Sequence, residues 1–327
     1  MHYELLRRRP AQDALADVSD LARALLLPRK GLCELAENTE SHYIEIRIPK
    51  RHGGLRRIHA PDPSLKKAQR AVLRLLEDRM VPKSWMHGGV TGRSIVTHAA
   101  PHCGRCWVAV LDLADFFPSV RRSRVQAILE AAGFTGDALK VLLALTTLGG
   151  ALPQGAPTSS HLANLALFPL DRRLRSLARR WGLTYSRYLD DIALSGKRPL
   201  RPLKGPLHDA VIREGFRPSP SKTAFMGRHE PQVVTGLLVN DRLRPVKSYR
   251  RALVEEVEAC RQDGPKVRAA LQGISVARYR SRILGRIRHW ARFDAEKAER
   301  LERRFRHLPR PGAAARETDG REKVGLR

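Results

Sequence analysis

Negative charge is scarce in this chain. Its 327 residues hold 33 Asp plus Glu against 61 Lys plus Arg, a formal net charge of +28. So basic a chain repels itself unless a polyanion neutralises it. The cations run through the whole sequence rather than gathering in a tail, which favours a protein that wraps nucleic acid over one that touches a membrane patch. Cysteine is scarce too: Cys33, Cys103, Cys106 and Cys260 are too few for a disulfide framework at this size. The opening "MHYELLRRRPAQDALADV" has no apolar h-region, so no signal peptide is expected. No apolar run approaches the ~18 residues that a transmembrane helix needs, and there is no internal repeat. These absences point to a soluble, cytoplasmic protein in a reducing setting with no membrane partner. Hydrophobic residues make up 42% of the chain, enough for a buried core, and the length suits one large domain or two to three subdomains.

Residues 12–27 carry Leu15, Val18, Leu21 and Leu25 at helical spacing. Tyr43 to Ile48 is rich in β-formers, His52-Gly53-Gly54 reads as a turn, and a second short strand ends at Pro61. Residues 64–80 read as a basic helix capped by Ser64. "CWVAVLDLADFF" (106–117) reads as a buried strand that breaks at Pro118, followed by helices over 121–132 and 136–148. The Gly/Pro loop 149–160 leads into a helix capped near Ser159, with a kink or joint at Pro169. "LTYSRYLDDIALS" reads as a hairpin with the acidic pair at its turn, and "VVTGLLVN" (233–240) as another strand. From Ser248 the pattern is helical. Tyr279, Ile283, Ile287 and Trp290 form one stripe, and Arg278, Arg282 and Arg286 form the next, suited to packing on one side and phosphate on the other. The tail from Pro309 lacks periodicity and is expected to be disordered.

Against the basic background, the few acids stand out by position. Asp190 and Asp191 sit side by side between apolar flanks, and Asp112 lies in the otherwise apolar run "VAVLDLADFF". An ionised Asp there is costly unless something pairs with it. Asp115, three residues on, points to another side or past the strand's end, so Asp112 is the better candidate to meet the pair. Three clustered carboxylates repel one another, and a divalent cation removes that cost. Mg²⁺ prefers a few carboxylates plus substrate phosphates, and two such ions clamp the attacking and leaving oxygens of an in-line phosphoryl transfer. The pattern suits nucleotidyl transfer on nucleic acid.

At this point the motifs resemble a known family. "LDLADFFPSV", "LPQGAPTSSHLANL" and "RYLDDIALS" come in the order of the palm motifs of reverse transcriptases. "IPKRHGGLRRIHAPDPSLKKAQR" is similar to the fingers motifs of the retron and group II intron branch, and "GFRPSPSKT" (215–223) to its GFxxNxxKT element. The VTG triplet in "QVVTGLLVN" points to retron reverse transcriptases. The resemblance covers about residues 40–305.

The resemblance implies an α+β right-hand polymerase. It places an N-terminal helical extension at 1–30, fingers at 31–107 and 120–158, a palm at 108–119 and 159–240, and a helical thumb at 241–308. It implies that Asp112, Asp190 and Asp191, with the Leu113 carbonyl, hold two Mg²⁺ ions. Phe117 would be the steric gate against a ribose 2′-OH, Gln154 would contact the incoming dNTP or template, and Lys50 and Arg56 would reach its triphosphate. Lys222 would sit near the leaving phosphates as a charge source or proton donor. Thr235 and Gly236 would help bind the cognate RNA, as would His102 of "HAAPH" (98–102), the counterpart of the NAxxH element. The implied reaction copies part of a structured non-coding RNA into DNA. It is primed from a guanosine 2′-OH, gives branched, RNA-linked msDNA, and belongs to anti-phage defence with a separate effector protein. Three positions depart from the family: Leu189 replaces a small residue in YxDD, Ser219 replaces Asn in GFxxNxxKT, and His98 replaces the first Asn of NAxxH.

Other readings compete. His98, His102, Cys103 and Cys106 lie within nine residues and could hold zinc; the plainer reading is two free cysteines on a loop and a histidine that contacts RNA. A group II intron protein is disfavoured by the short stretch after "VTGLLVN", and a diversity-generating enzyme by the intact "LPQGAP". A catalytically decayed RNA-binding protein is disfavoured by the intact aspartates.

Overall fold

The computed structural model describes residues 3–7, 14–49 and 53–307. The chain divides into two compact units that meet between Thr235 and Gly236. Among the described residues no helix is long and apolar enough to cross a membrane.

The first unit opens with α1 (Val18–Leu25) and α2 (Arg29–Glu37). The Asp17 side chain accepts from Ser19 N and starts α1 there, so Leu15 is not helical as its spacing suggests. Its backbone instead pairs with Gly133 and Thr135. The hairpin of β1 (Tyr43–Pro49) and β2 (Leu55–Pro61) follows, with Ile46 opposite Ile58. In α3 (Pro63–Arg79) the cap is Asp62 rather than Ser64: Asp62 accepts from Leu65 N at 2.9 Å, and the Ser64 hydroxyl bonds Asp62. Next come α4 (Ile95–Ala99), opened by a Ser94/Thr97 capping box, and β3 (Trp107–Leu111). Expected to run to Phe117, the strand stops before Asp112. Asp115 turns left-handed (φ 47°), and Phe116–Ser119 forms the one-turn helix α5.

Helices α6 (Arg122–Ala131), α7 (Gly136–Thr146), α8 (Ser159–Ala166) and α9 (Phe168–Arg180) follow. Pro169 sits in the first turn of α9, where its missing N–H costs nothing, and marks the joint with α8. The unit continues with β4 (Thr184–Tyr188), β5 (Asp191–Gly196), α10 (Lys204–Arg213), β6 (Ala224–Gly227) and the two-residue β7 (Val233–Val234). The central sheet has the antiparallel order β4-β5-β3-β6. Its core holds Leu111, Leu162, Leu165, Leu174, Ile192 and Leu194. The predicted strand over 233–240 is broken at Thr235 and Gly236, whose φ angles are 45° and 79°.

The second unit pairs β8 (Leu237–Leu238) with β9 (Arg244–Pro245) and then folds as α11 (Lys247–Leu271), α12 (Val276–Ala291) and α13 (Ala295–Arg306). Gly264 (φ 81°) and Pro265 break α11. Tyr279, Ile283, Ile287 and Trp290 are buried, as their stripe predicts, against Leu253, Val257, Leu301 and Phe305. Inside the unit, Glu256 accepts from Arg268, Gln272 and the Tyr279 hydroxyl.

Candidate active site

Strand parity brings the acids together. Leu111 pairs with Ile192 and Tyr188 with Asp191, so the next step along β3 sets Asp112 beside Asp191. Side chains alternate across a sheet. Even positions of β3 and β4 therefore share one face with odd positions of β5. That face carries Asp112, Tyr188 and Asp191. The other face turns Tyr185 and Arg187 toward Asp171 of α9. Leu189 and Asp190 form the turn, and Leu189 takes a left-handed φ of 54°. Non-glycine residues with positive φ store strain and cluster where a fold must aim a side chain; here they fall at Asp115, Leu189 and Thr235 among others.

The carboxylates open on a cleft of about 950 Å³. Arg56, Arg57, Arg121 and Lys222 face it from one side of the charge balance, Asp112, Asp115, Asp190 and Asp191 from the other. Burial pushes the Asp190 carboxyl up to about 6, with Asp112 adding to the effect. Asp191 rises to about 7 through burial, then through Asp112 and Asp190. Lys222 lowers both in part and is ion-paired directly with Asp112. The segment 217–219 fixes that lysine. Ala114 N donates to Arg217 O at 2.8 Å and Ser219 N to Asp112 O at 2.7 Å, so "RPSPSK" runs along the end of β3. Ser219, which departs from the family's Asn, works there through its backbone.

The site thus holds more negative charge than one lysine offsets. Its donors are hard oxygens, the set that Mg²⁺ takes. Among the described residues no group of three or more His, Cys, Asp and Glu is placed so that it could hold a metal ion. Mg²⁺ ordinarily completes its shell with water and phosphate oxygens rather than an all-protein cage, so the residues present fit such an ion.

Several supports were not foreseen from the sequence. Arg187 is fully buried and donates to Asp171 Oδ1 at 2.7 Å and Oδ2 at 3.1 Å, and to Asn164 Oδ1 and O at 2.6 and 2.7 Å. Its backbone also pairs with Trp85 and His87 at 2.9 Å. The strand that delivers the acidic turn is therefore held from both sides. A Cβ added at Gly88 would lie 2.8 Å from Leu189 Cγ and 2.8 Å from Leu189 N. The large Leu189 is thus accommodated by a glycine facing it. The only sequence clue to Arg187 was an arginine at a core-facing strand position.

The other expected residues fall as follows. Phe117 and Gln154 line the cleft with Arg56. Gln154 O accepts from His59 N at 2.8 Å, tying that loop to β2. Lys50 lies outside the described residues, as does the tail from Pro309. His102 does not face solvent. It is fully buried, with its ring nitrogens 2.7 Å from Ser195 Oγ and 2.8 Å from Ser186 Oγ, so the expected RNA contact is corrected to a structural one. The same two bonds remove it from a zinc set. His98 is buried as well, 3.3 Å from Thr235 Oγ1, and its ring centre lies 5.6, 6.0 and 6.2 Å from those of His87, His102 and Tyr188, in tilted or edge-on contact. Burial pushes His98 and His102 down to about 3, so both are neutral. In the second unit Arg278 and Arg282 are exposed, Arg282 bonding Gln272, and Arg286 lies over the Tyr249 ring at 5.3 Å.

The family model for reverse transcriptase (RNA-dependent DNA polymerase) matches residues 48–239. Retron Ec86 reverse transcriptase of Escherichia coli is 31% identical over 71% of this chain and 72% of its own length. This chain belongs to the reverse transcriptase family, on its retron branch. Retron Mx65 reverse transcriptase of Myxococcus xanthus is 38% identical over 287 residues, 80% of this chain, and retron Mx162 reverse transcriptase is 35% identical over 73%. The chain spans 64% and 56% of the lengths of these two relatives. A telomerase from Candida albicans, solved with a fragment of telomeric RNA, aligns over 81% of this chain and 63% of that one at 10% identity and TM-score 0.44. That likeness is too loose to add to the sequence relatives. For a reverse transcriptase, the α+β right-hand class and its antiparallel sheet are the expected ones.

Proposed function

We propose that this chain is an RNA-directed DNA polymerase of the retron type. The observation that carries the reading is the convergence of Asp112, Asp190 and Asp191 on one cleft that also presents Arg56, Arg57, Arg121 and Lys222. Asp112, Asp190, Asp191 and the Leu113 carbonyl would hold two Mg²⁺ ions. Bound there, the ions would supply Lewis-acid stabilisation of an in-line attack on the α-phosphate. The protein's own groups do the rest. Arg56 and Lys50 receive the triphosphate, Gln154 orients the nucleotide or template, and Phe117 crowds the ribose 2′ position. Lys222 neutralises Asp112 in the metal-free chain, and its side chain is 58% exposed, so it has room to turn toward departing phosphate.

In this reading the fingers are residues 31–107 and 120–158, the palm 108–119 and 159–240, and the thumb 241–308, after an N-terminal extension at 1–30. Thr235, Gly236, Arg278, Arg282 and Arg286 contact RNA. The template and primer are one structured non-coding RNA, primed from a 2′-OH to give branched msDNA, in an anti-phage system with a separate effector. Purification with the co-expressed RNA, followed by dNTPs and Mg²⁺, tests it. DNA joined to RNA through a bond that a debranching enzyme cuts is the expected product. DNA with only free or 3′-linked ends would refute the branched-priming part, and no DNA at all would refute the polymerase.

A further inference from the structure

Between β5 and α10 the chain reads "GKRPLRPLKGPLHD". A cation–proline–leucine triplet occurs twice, at 198–200 and 201–203, and once more with a glycine inserted, at 204–207. The leucines turn inward: Leu200, Leu203 and Leu207 are at most 1% exposed and belong to the core of the first unit. Lys197, Arg198, Arg201 and Lys204 are exposed. Arg201–Leu203 is a single 3₁₀ turn that leads directly into α10 at Lys204, and side chains three apart eclipse in such a turn. Arg201 and Lys204 therefore stand on one side, and Leu200 and Leu203 on the other. No acidic residue lies between Asp191 and Asp209, and among the described residues none of the four cations is ion-paired. Pro199, Pro202 and Pro206 stiffen the segment. Like charges held this close repel one another, and a polyanion removes that cost. None of these residues lines the carboxylate cleft.

We propose that this proline-stiffened row of cations is a docking site for the phosphate backbone of an RNA stem. The inference rests on the polymerase reading, since it names a surface for the RNA partner of that reading. Three residues of 3₁₀ turn separate Arg201 from Lys204 by about 6 Å, close to two phosphate steps of about 3.4 Å along a duplex. Lys197 and Arg198 extend the row toward β5. Arginine's planar fork takes phosphate oxygens in bidentate fashion, and lysine adds a point charge. The segment offers no ring for a base to stack on, because no Phe, Tyr or Trp lies between Tyr188 and Phe216. Recognition therefore falls on backbone and shape, the mode by which double-stranded RNA is read. Position favours a stem over the growing product. β5 runs from Asp191 at the acidic turn to Gly196, so the row begins about 17 Å along the strand from the aspartates. A stem held there stays in place while DNA lengthens in the cleft. The buried leucines and the prolines order the row before RNA arrives, which lowers the cost of binding.

The test compares full-length wild type, the row variant Arg198→Gln/Arg201→Gln/Lys204→Gln, and the control Lys66→Gln/Lys67→Gln/Arg70→Gln. The control removes the same charge from exposed positions of α3. The probes are a 20-base-pair RNA hairpin, a DNA hairpin of the same sequence and an unpaired RNA oligomer, titrated at several salt concentrations. The row variant should bind the RNA hairpin at least about tenfold more weakly than the control, with a salt slope smaller by about two to three. Its losses on the other two probes should be clearly smaller. Equal weakening in row and control variants would reduce the row to net charge and overturn the proposal. Equal losses on RNA and DNA hairpins would overturn the choice of RNA, and equal losses on the unpaired oligomer would overturn the choice of a stem. Arg198→Lys/Arg201→Lys keeps the charge and should bind the RNA hairpin within about fivefold of wild type. A loss as large as that of the row variant would trace the effect to packing and overturn the phosphate contacts. Failure of wild type to extend oligo(dT) on poly(rA) would overturn the polymerase reading while leaving the binding comparison intact.

Discussion

Replacing Asp171 with Leu should destabilise the first unit more than any change within the cleft. Asp171 and Arg187 are both fully buried, joined by bonds of 2.7 and 3.1 Å, and Asp171 also accepts the Tyr185 hydroxyl at 2.6 Å. Removing the carboxylate leaves a guanidinium in the core with only the Asn164 oxygens and a long contact to Leu189 O at 3.4 Å. Breaking a buried pair from one side costs about 3–5 kcal/mol. For a unit of this size that is a drop in thermal midpoint of roughly 6–20 °C. The double variant Asp171→Leu/Arg187→Met removes both charges at similar volume and should recover most of the loss. What stays lost is the Asn164 acceptors' donor, on the order of 1–3 kcal/mol. Urea unfolding of the three proteins measures these values, and primer extension measures the consequence. The double variant should fold yet extend at least about tenfold more slowly, because the strand carrying the acidic turn has lost its anchor. A single variant that loses less than about 1 kcal/mol, or a double variant as unstable as the single, would refute the reasoning.

Three further outcomes follow from the same geometry. Asp190 and Asp191 titrate above the ordinary carboxylate value, at about 6 and about 7. Folding therefore favours their protonated forms, and ionisation costs stability progressively from about pH 4 until the pH passes those values. In metal-free protein, Asp190→Asn should raise stability at pH 8 by about 1–3 kcal/mol and change it little at pH 4, as read by urea midpoints. Gly88→Ala should slow nucleotide addition at least about tenfold with a smaller effect on template affinity, since its methyl would force Leu189 and the turn to shift. Phe117→Ala should let ribonucleotides be added at rates within about tenfold of deoxynucleotides in single-nucleotide extension, while a wild-type discrimination ratio would remove Phe117 from the gate role.

The acidic trio was legible because carboxylates inside apolar runs are conspicuous in a chain so short of them. Their meeting was not legible in detail, since it depends on the pairing of Leu111 with Ile192, which no local pattern dictates. The hairpin at 184–196, the joint at Pro169 and the buried stripe on α12 followed from periodicity and from proline's missing donor. The end of β3 was missed because apolar and aromatic residues continue to Phe117, while the left-handed Asp115 turns the chain first. The break at Thr235 and Gly236 was hidden in the same way by β-formers on both sides. His102 was expected to contact RNA as the counterpart of the NAxxH histidine; its burial was not legible because its two serine partners come from β4 and β5, far away in sequence. Arg187 was not singled out because its partners, Asp171 of α9 and Asn164 of α8, are distant in sequence and no local pattern pairs them with it.

The central claim is that Asp112, Asp190 and Asp191 act together in nucleotidyl transfer. The most direct test is Asp190→Asn in the chain copurified with its RNA, supplied with Mg²⁺ and labelled dNTPs, with RNA affinity measured on the same preparation. Asparagine keeps the shape of the side chain and removes its charge. The account predicts intact RNA binding and loss of DNA synthesis by at least about a thousandfold. DNA synthesis near the wild-type rate would contradict it.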